Sequence, residues 1–110
     1  VLLALVGICR SVIRGEDFFA RYGGDEFAIV FTGASARIAA RKGREICEIV
    51  NGTVFTTEET ADEPAVNLAM SVSIGVTEHR AGDDYTGLIK RADDALYLAK
   101  SEGKNCVRTG

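Results

Sequence analysis

The chain has 110 residues, which is enough for one domain built round a single core. A formal net charge of −3, without any basic block, gives no reason to expect binding to a nucleic-acid polymer. Three widely spaced cysteines without a CxxC pair favour buried thiols in a reducing compartment over a disulfide framework or a zinc site.

The apolar opening predicts a mostly buried helix over residues 1–13 that ends near Gly15. One face carries Leu2, Leu5, Cys9, Val12 and Ile13. The stretch is too short to span a bilayer and lacks the features of a signal peptide, so we expect a cytoplasmic location and no membrane contact from this chain. Because the chain lacks an initiator methionine and a helix cap at its start, we expect it to begin inside a longer gene product, whose own tethering to a membrane stays open.

Two strand-like runs flank a Gly-Gly pair at residues 23–24. The first run includes Phe18, Phe19 and Tyr22, and the second is apolar from Phe27 to Phe31. Glycine supplies the positive φ angles of a tight turn, so the pattern predicts a β-hairpin with Asp25 and Glu26 at the exit of its turn. Carboxylates beside bare backbone suit a divalent metal and phosphate oxygens, although spacing alone slightly favours an ordinary solvated acidic tip.

A second helix is predicted from Ser35, its N-cap, to about Val50, where Asn51-Gly52 ends it. Its expected core stripe is Ile38, Ala39, Ile46, Ile49 and Val50. Its expected solvent-exposed side carries Arg37, Arg41, Lys42, Arg44 and Glu45, which we interpret as a solubilising face.

The rest of the chain predicts an irregular acidic loop, one long strand and a last helix. Residues 53–64 are the least regular part, in which the polar residues 56–63 are expected to form an exposed loop or a hairpin tip. Alternation predicts a strand from Val66 to Val76 with one buried face. Asp83 or Asp84 caps the helix, and Gly103 ends it before a short strand at Cys106-Val107. The expected buried stripe of this helix is Tyr85, Leu88, Ile89, Ala92, Ala95, Leu96 and Ala99. We assign no ligand or catalytic role to His79, because a lone histidine at a strand end is usually a surface residue.

The sequence Arg-Tyr-Gly-Gly-Asp-Glu-Phe at residues 21–27 resembles the signature of the GGDEF family, the diguanylate cyclases. Three further landmarks fall in the family's order: an RxxD motif at Arg14 and Asp17, an SIGV strand at 73–76, and a closing helix over 88–105. The resemblance covers nearly the whole chain, as a partial GGDEF domain at 1–110. It implies an α/β (α+β) sandwich of the nucleotidyl-cyclase palm type, ferredoxin-like, with helices flanking a mainly antiparallel sheet.

The resemblance also implies an activity, the condensation of two GTP molecules into cyclic di-GMP and two pyrophosphates by a homodimer that uses Mg²⁺ or Mn²⁺. Asp25 and Glu26 would be the catalytic and metal-binding residues. Gly23, Gly24, Lys100 and Lys104 would contact the nucleotide. Lys104 stands where arginine is commoner, which keeps the charge but loses the bidentate fork. Apart from the resemblance, cations near a helix C-terminus are favourable whatever the function.

Arg14 and Asp17 match the family's inhibitory site for its product, cyclic di-GMP. Guanidinium binds phosphate and the guanine edge bidentately, which fits that role. The alternative is a solvated turn whose two charged side chains face water. One arginine of the second helix can also be a secondary contact for product, although the sequence does not say which.

The family's domain begins with a strand and helix that carry a further metal-binding aspartate, and this chain does not contain them. We therefore expect the isolated 110 residues to bind GTP weakly and to be inactive, with apolar surface and unpaired backbone exposed in the middle of the sheet. Two functions stay open. The chain is part of an active diguanylate cyclase, or it belongs to a catalytically silent module that binds cyclic di-GMP or GTP for regulation.

Overall fold

The computed structural model describes all 110 residues as three helices and six short strands. In chain order the elements are α1 (Leu2–Val12), β1 (Phe18–Gly23), β2 (Glu26–Val30), α2 (Ala36–Asn51), β3 (Val54–Thr56), β4 (Asn67–Ala69), β5 (Ile74–Val76), α3 (Tyr85–Ser101) and β6 (Val107–Thr109).

The six strands pair in three separate two-stranded ladders. β1 pairs with β2 and β3 with β4, both antiparallel, whereas β5 and β6 run parallel. The expected α+β architecture with mainly antiparallel pairing is therefore confirmed. Phe18 and Val30, which are partners at the open end of the hairpin, are both exposed.

The core lies where α1 and α2 meet β3. Cys9 and Val12 of α1 pack with Ile46 and Val50 of α2 around Phe55, which is almost fully buried. Phe55 lies in β3, a strand that the sequence did not predict. Because β3 pairs antiparallel with β4, the hairpin tip is the alternative that the structure has for residues 56–63. α1 ends at Val12, before Gly15, because Ile13 already has an extended backbone.

Helix α2 confirms its predicted N-cap, and its expected core stripe is buried only at Ile46 and Val50. The Ser35 side chain accepts a hydrogen bond from the backbone N–H of Ile38, which is itself exposed. The buried residues of the helix are Ala40, Gly43, Ile46, Cys47 and Val50. Small residues face inward because α2 approaches β5 and β6 closely. A Cβ at Gly43 would lie 3.4 Å from the side chain of Val107.

The single strand expected from Val66 to Val76 is wrong, because the chain changes partner in its middle. Its first part is β4, which pairs with β3, and its last part is β5, which pairs with β6. Val66 and Leu68 are exposed, whereas Val76 is buried. Alternation thus predicted the buried face only for the second part.

The N-cap of helix α3 is Asp84, whose side chain accepts a hydrogen bond from the backbone N–H of Gly87 at 2.7 Å. Tyr85, expected in the buried stripe, is 68% exposed. The helix lies backbone against backbone on β5 at Gly75, where a Cβ would collide with the carbonyl oxygen of Ala92 and the backbone of Leu96. None of the three helices is both long and apolar enough to cross a membrane.

Candidate functional site

The hairpin turn presents two adjacent carboxylates to solvent. Gly23 pairs with Glu26 across the ladder, so the turn residues are Gly24 and Asp25 rather than the two glycines. Asp25 therefore lies within the turn and Glu26 opens β2. Both side chains are exposed, and neither forms a hydrogen bond or an ion pair with the rest of the chain.

The two glycines of the turn have different reasons to lack a side chain. Gly24 has a φ of +22°, which side chains rarely tolerate. Gly23 has neither a positive φ nor any atom within 4 Å of a Cβ built on it. Packing within this chain does not require glycine at that position, and the space beside the carboxylates is open.

Arg21 holds the turn from the preceding strand, a role that the sequence reasoning missed. Its Nε and Nη2 both donate to the carbonyl oxygen of Gly24. An arginine three residues before the turn glycine was the available signal. This fork fixes the peptide that leads directly into Asp25.

Tyr22 is the hairpin residue whose titration depends on helix α3. Tyr85 of that helix raises the pKa of Tyr22 most, and the carboxylates of Asp93 and Glu26 act in the same direction. Lys100 follows Asp93 by seven residues, so it lies on the same face of α3 as Asp93, about 10 Å further along the axis.

Lys100 and Lys104 have free ammonium groups near the C-terminal end of α3. Neither forms an ion pair, whereas Lys90 on the same helix pairs with Asp94 at 3.0 Å. Lys104 has a φ of 63°, in the left-handed region that favours glycine. Its backbone N–H donates to the carbonyl oxygen of Ala99 and closes the helix end.

Asp17 has a structural role that neither alternative from the sequence, a ligand contact or a solvated turn residue, included. One carboxylate oxygen accepts from the backbone N–H of Arg14 at 2.9 Å, and the other accepts from that of Thr32 at 3.0 Å. The hydrogen bond from Arg14 and, to a smaller degree, that from Thr32 hold the pKa of Asp17 below its ordinary value. Asp17 thus ties the entrance of the hairpin to its exit. The Arg14 side chain is exposed and pairs with Glu16 at 3.2 Å.

The turn fits a hard divalent cation only in part. Carboxylate oxygens are the ligands that Mg²⁺ prefers, and one or two of them often suffice when phosphates and water complete the shell. No cluster of three or more acidic, histidine or cysteine side chains with metal-binding geometry occurs in the chain. Asp25 and Glu26 are therefore a donor pair that needs oxygens from elsewhere.

Comparison with known proteins decides the family. A family model described as diguanylate cyclase, GGDEF domain, matches residues 1–106. The chain belongs to the GGDEF family. The resemblance noted at the signature is thereby confirmed, and the hairpin with its two carboxylates is the GGDEF turn of this chain.

Two curated GGDEF relatives are similar over most of the chain. Diguanylate cyclase DosC of Escherichia coli K12 is 40% identical over 95 residues, which are 86% of this chain and 20% of DosC. Response regulator PleD of Caulobacter vibrioides NA1000 is 33% identical over 97 residues, which are 88% of this chain and 21% of PleD. The chain therefore spans about a fifth of the length of either relative.

Solved GGDEF structures share the fold. The GGDEF domain of DgcB from Caulobacter crescentus, solved in complex with c-di-GMP, matches with a TM-score of 0.83 at 31% identity, over 96% of this chain and 60% of that one. Diguanylate cyclase SiaD of Pseudomonas aeruginosa, solved with its activator SiaC, matches with a TM-score of 0.85 at 27% identity, over 99% of this chain and 40% of that one.

Proposed function

We propose that this chain supplies the signature hairpin and the phosphate-binding lysines of a diguanylate cyclase that condenses two GTP molecules into cyclic di-GMP and two pyrophosphates. The observation that carries the proposal is the pair of unpartnered carboxylates, Asp25 and Glu26, beside a glycine that packing does not explain. An ordinary acidic tip does not require a bare Gly23. Close approach of a nucleotide to the carboxylates would account for it.

In the proposed reaction, the 3′-oxygen of one GTP bonds to the α-phosphorus of a second, and the bond from that phosphorus to pyrophosphate breaks. The hydroxyl proton is released, and a second such step closes the ring. Each GTP is held by its own subunit, so the reaction needs a homodimer. Lys100 and Lys104 offset the charge on the departing pyrophosphate, and their lack of ion pairs in the chain supports that role.

Asp25 and Glu26 are the proposed ligands of Mg²⁺ or Mn²⁺. Such an ion, when bound, would lower the pKa of the reacting hydroxyl and neutralise phosphate charge. Glu26 adds negative charge at the same place, as ligand or as proton acceptor. Because no third metal ligand lies with this pair, we also propose that the 110-residue chain alone binds GTP weakly and turns none over.

The test compares the complete gene product that carries this chain with its Asp25→Asn variant, in Mg-GTP, by pyrophosphate release and by chromatography of cyclic di-GMP. Removing the charge should lower turnover at least about 100-fold. Asp62→Asn, an exposed acid in the β3–β4 connection, is the matched control and should keep full turnover. Production of no cyclic di-GMP by the unmodified protein, or full activity of Asp25→Asn, would overturn the proposal.

A second candidate is a catalytically silent module that binds cyclic di-GMP at Arg14. The exposed guanidinium, held only by the surface pair with Glu16, favours it as a ligand-facing group. Arg14→Ala should weaken cyclic di-GMP binding at least about tenfold in a calorimetric titration, because a bidentate phosphate contact is lost. Arg80→Ala, another exposed arginine, should leave the affinity unchanged.

Turnover and cyclic di-GMP binding, measured on the same variants, distinguish the two candidates. An active enzyme with product inhibition loses inhibition in Arg14→Ala but keeps turnover, whereas a silent module binds cyclic di-GMP and never releases pyrophosphate. Equal affinity of Arg14→Ala and the unmodified protein would remove the inhibitory site from Arg14. Asp17 is less suitable for this test, since its replacement also unties the hairpin.

A further inference from the structure

The chain leaves helix α3 with a positive φ at three successive residues. The φ angles of Gly103, Lys104 and Asn105 are 111°, 63° and 51°. Lys104 and Asn105 are the only residues of the chain other than glycine that have a positive φ. The left-handed region is costly for a residue with a Cβ, although asparagine tolerates it better than most. Such a conformation persists only where surrounding contacts hold it.

The end of α3 accounts for the first of these three angles only. The backbone N–H of Lys104 donates to the carbonyl oxygen of Ala99 at 3.0 Å. This closure is the hydrogen bond of a Schellman motif, which needs a left-handed backbone at the residue after the C-cap, here Gly103. It does not need a positive φ at the two residues that follow, so their conformation has another cause.

Two contacts from other elements hold Asn105. Its backbone N–H donates to the hydroxyl oxygen of Ser73, the residue before β5, at 3.1 Å. Its side-chain oxygen accepts a hydrogen bond from the amide of Asn51, the last residue of α2, at 3.0 Å. At the next residue, the backbone N–H of Ile74 donates to the carbonyl oxygen of Cys106 at 3.0 Å, which leads into the parallel ladder of β5 with β6. Asn105 is thus fixed through its backbone and its side chain.

Ser73 and Asn105 belong to two of the motifs on which the family resemblance rests, the SIGV strand and the segment after the closing helix. Neither residue has a part in the proposed reaction. Their contact brings the two motifs together across 32 residues of sequence, directly beside Lys104.

We propose that Ser73 and Asn51 are positioning residues for nucleotide binding. Through Asn105 they keep Lys104 in its left-handed conformation, which directs the ammonium group to the phosphates of GTP. When Asn105 is released, both residues can return to a negative φ, and the Lys104 side chain then leaves the helix end in another direction. This inference rests on the proposed function, in which Lys104 contacts the nucleotide.

The test measures nucleotide affinity of the complete gene product by calorimetric titration with 3′-deoxy-GTP and Mg²⁺, since a nucleotide without the 3′-hydroxyl cannot condense. Ser73→Ala should weaken binding about fivefold, and Asn51→Ala, which loses a more exposed contact, about two- to threefold. Ser71→Ala is the matched control and should bind as the unmodified protein does. Ser71 is exposed, and its hydroxyl forms no hydrogen bond within the chain.

A Lys104→Ala background separates positioning from a general structural effect. Ser73→Ala should cause no further loss of affinity there, because the ammonium group that it positions is absent. A further fivefold loss in that background would overturn the proposal. So would full affinity of both Ser73→Ala and Asn51→Ala in the presence of Lys104.

Hydrogen–deuterium exchange gives a readout without nucleotide. Peptides that contain residues 103–106 should exchange faster in Ser73→Ala, because the N–H of Asn105 loses its acceptor, while peptides of α1 exchange as before. Unchanged exchange at 103–106 would overturn the proposal. Weaker binding by Lys104→Ala but not by Ser73→Ala would overturn the positioning and leave the proposed function intact. Full affinity of Lys104→Ala would overturn both the positioning and the assignment of Lys104 to the nucleotide.

Discussion

The guanidinium of Arg21 donates two hydrogen bonds to the carbonyl oxygen of Gly24, from Nε at 3.0 Å and from Nη2 at 2.6 Å. This fork sets the peptide that precedes Asp25. Arg21→Lys keeps the charge but removes the fork, so the carboxylate is held less firmly. In the complete gene product we expect about tenfold slower pyrophosphate release, because misplaced reacting groups lose rate steeply.

The control for this prediction is Arg41→Lys, which changes another exposed arginine on α2 in the same way. It should leave turnover unchanged. Thermal unfolding should differ little for both variants, since Arg21 is exposed. Equal turnover of Arg21→Lys and the unmodified protein would show that the fork does not position Asp25.

Lys104 combines a backbone that favours glycine with a free ammonium group. Its φ of 63° is costly for a residue with a Cβ. Lys104→Gly should therefore raise the free energy of unfolding by up to about 1 kcal/mol, net of the entropy of glycine, while it weakens GTP binding. Lys104→Ala should weaken binding equally without the gain in stability. Denaturant unfolding and nucleotide titration measure the two effects, and unchanged GTP affinity in both variants would remove Lys104 from the nucleotide site.

Gly75 and Gly7 should respond to alanine with opposite signs. A Cβ at Gly75 would collide with the backbone of α3, including the Cα of Leu96 at 2.9 Å. Gly75→Ala should therefore lower the free energy of unfolding by about 1–3 kcal/mol. Gly7 lies on the exposed face of α1 and has no atom within 4 Å of such a Cβ. Gly7→Ala should raise stability by about 1 kcal/mol through helix propensity, and urea unfolding of both variants checks the signs.

The pair of Asp83 with Arg91 should make stability depend on acid pH. Both carboxylate oxygens accept from the guanidinium, at 2.8 and 2.7 Å, and this holds the pKa of Asp83 well below its ordinary value. A carboxyl with a lowered folded-state pKa stabilises the fold above its unfolded pKa of about 3.9 and loses that contribution as pH falls further. Thermal unfolding of Asp83→Asn should thus vary less than that of the unmodified chain below about pH 4. Asp62→Asn should keep the full dependence.

Features set by neighbouring residues could be predicted from the sequence. The Ser35 cap, the β-hairpin and the existence of all three helices follow from local chemistry, and the structure has each of them, with the hairpin turn one residue later than predicted. The signature and three further landmarks in the family's order identified the family, because together they carry a pattern that local propensity alone does not require.

Features that depend on distant partners could not be predicted. Alternation from Val66 to Val76 carries no sign that the chain leaves β3 for β6, because both pairings suit the same residue types. Helical spacing placed Tyr85 inward, but the residue is 68% exposed. The Asp17 carboxylate likewise accepts from two backbone N–H groups, and one of them belongs to Thr32, which is fifteen residues away.

The close approach at Gly75 has a mechanical consequence. With no side chain at Gly75, the backbone of β5 lies directly against that of α3. A displacement of this helix is therefore transmitted to β5 and, through the parallel ladder, to β6.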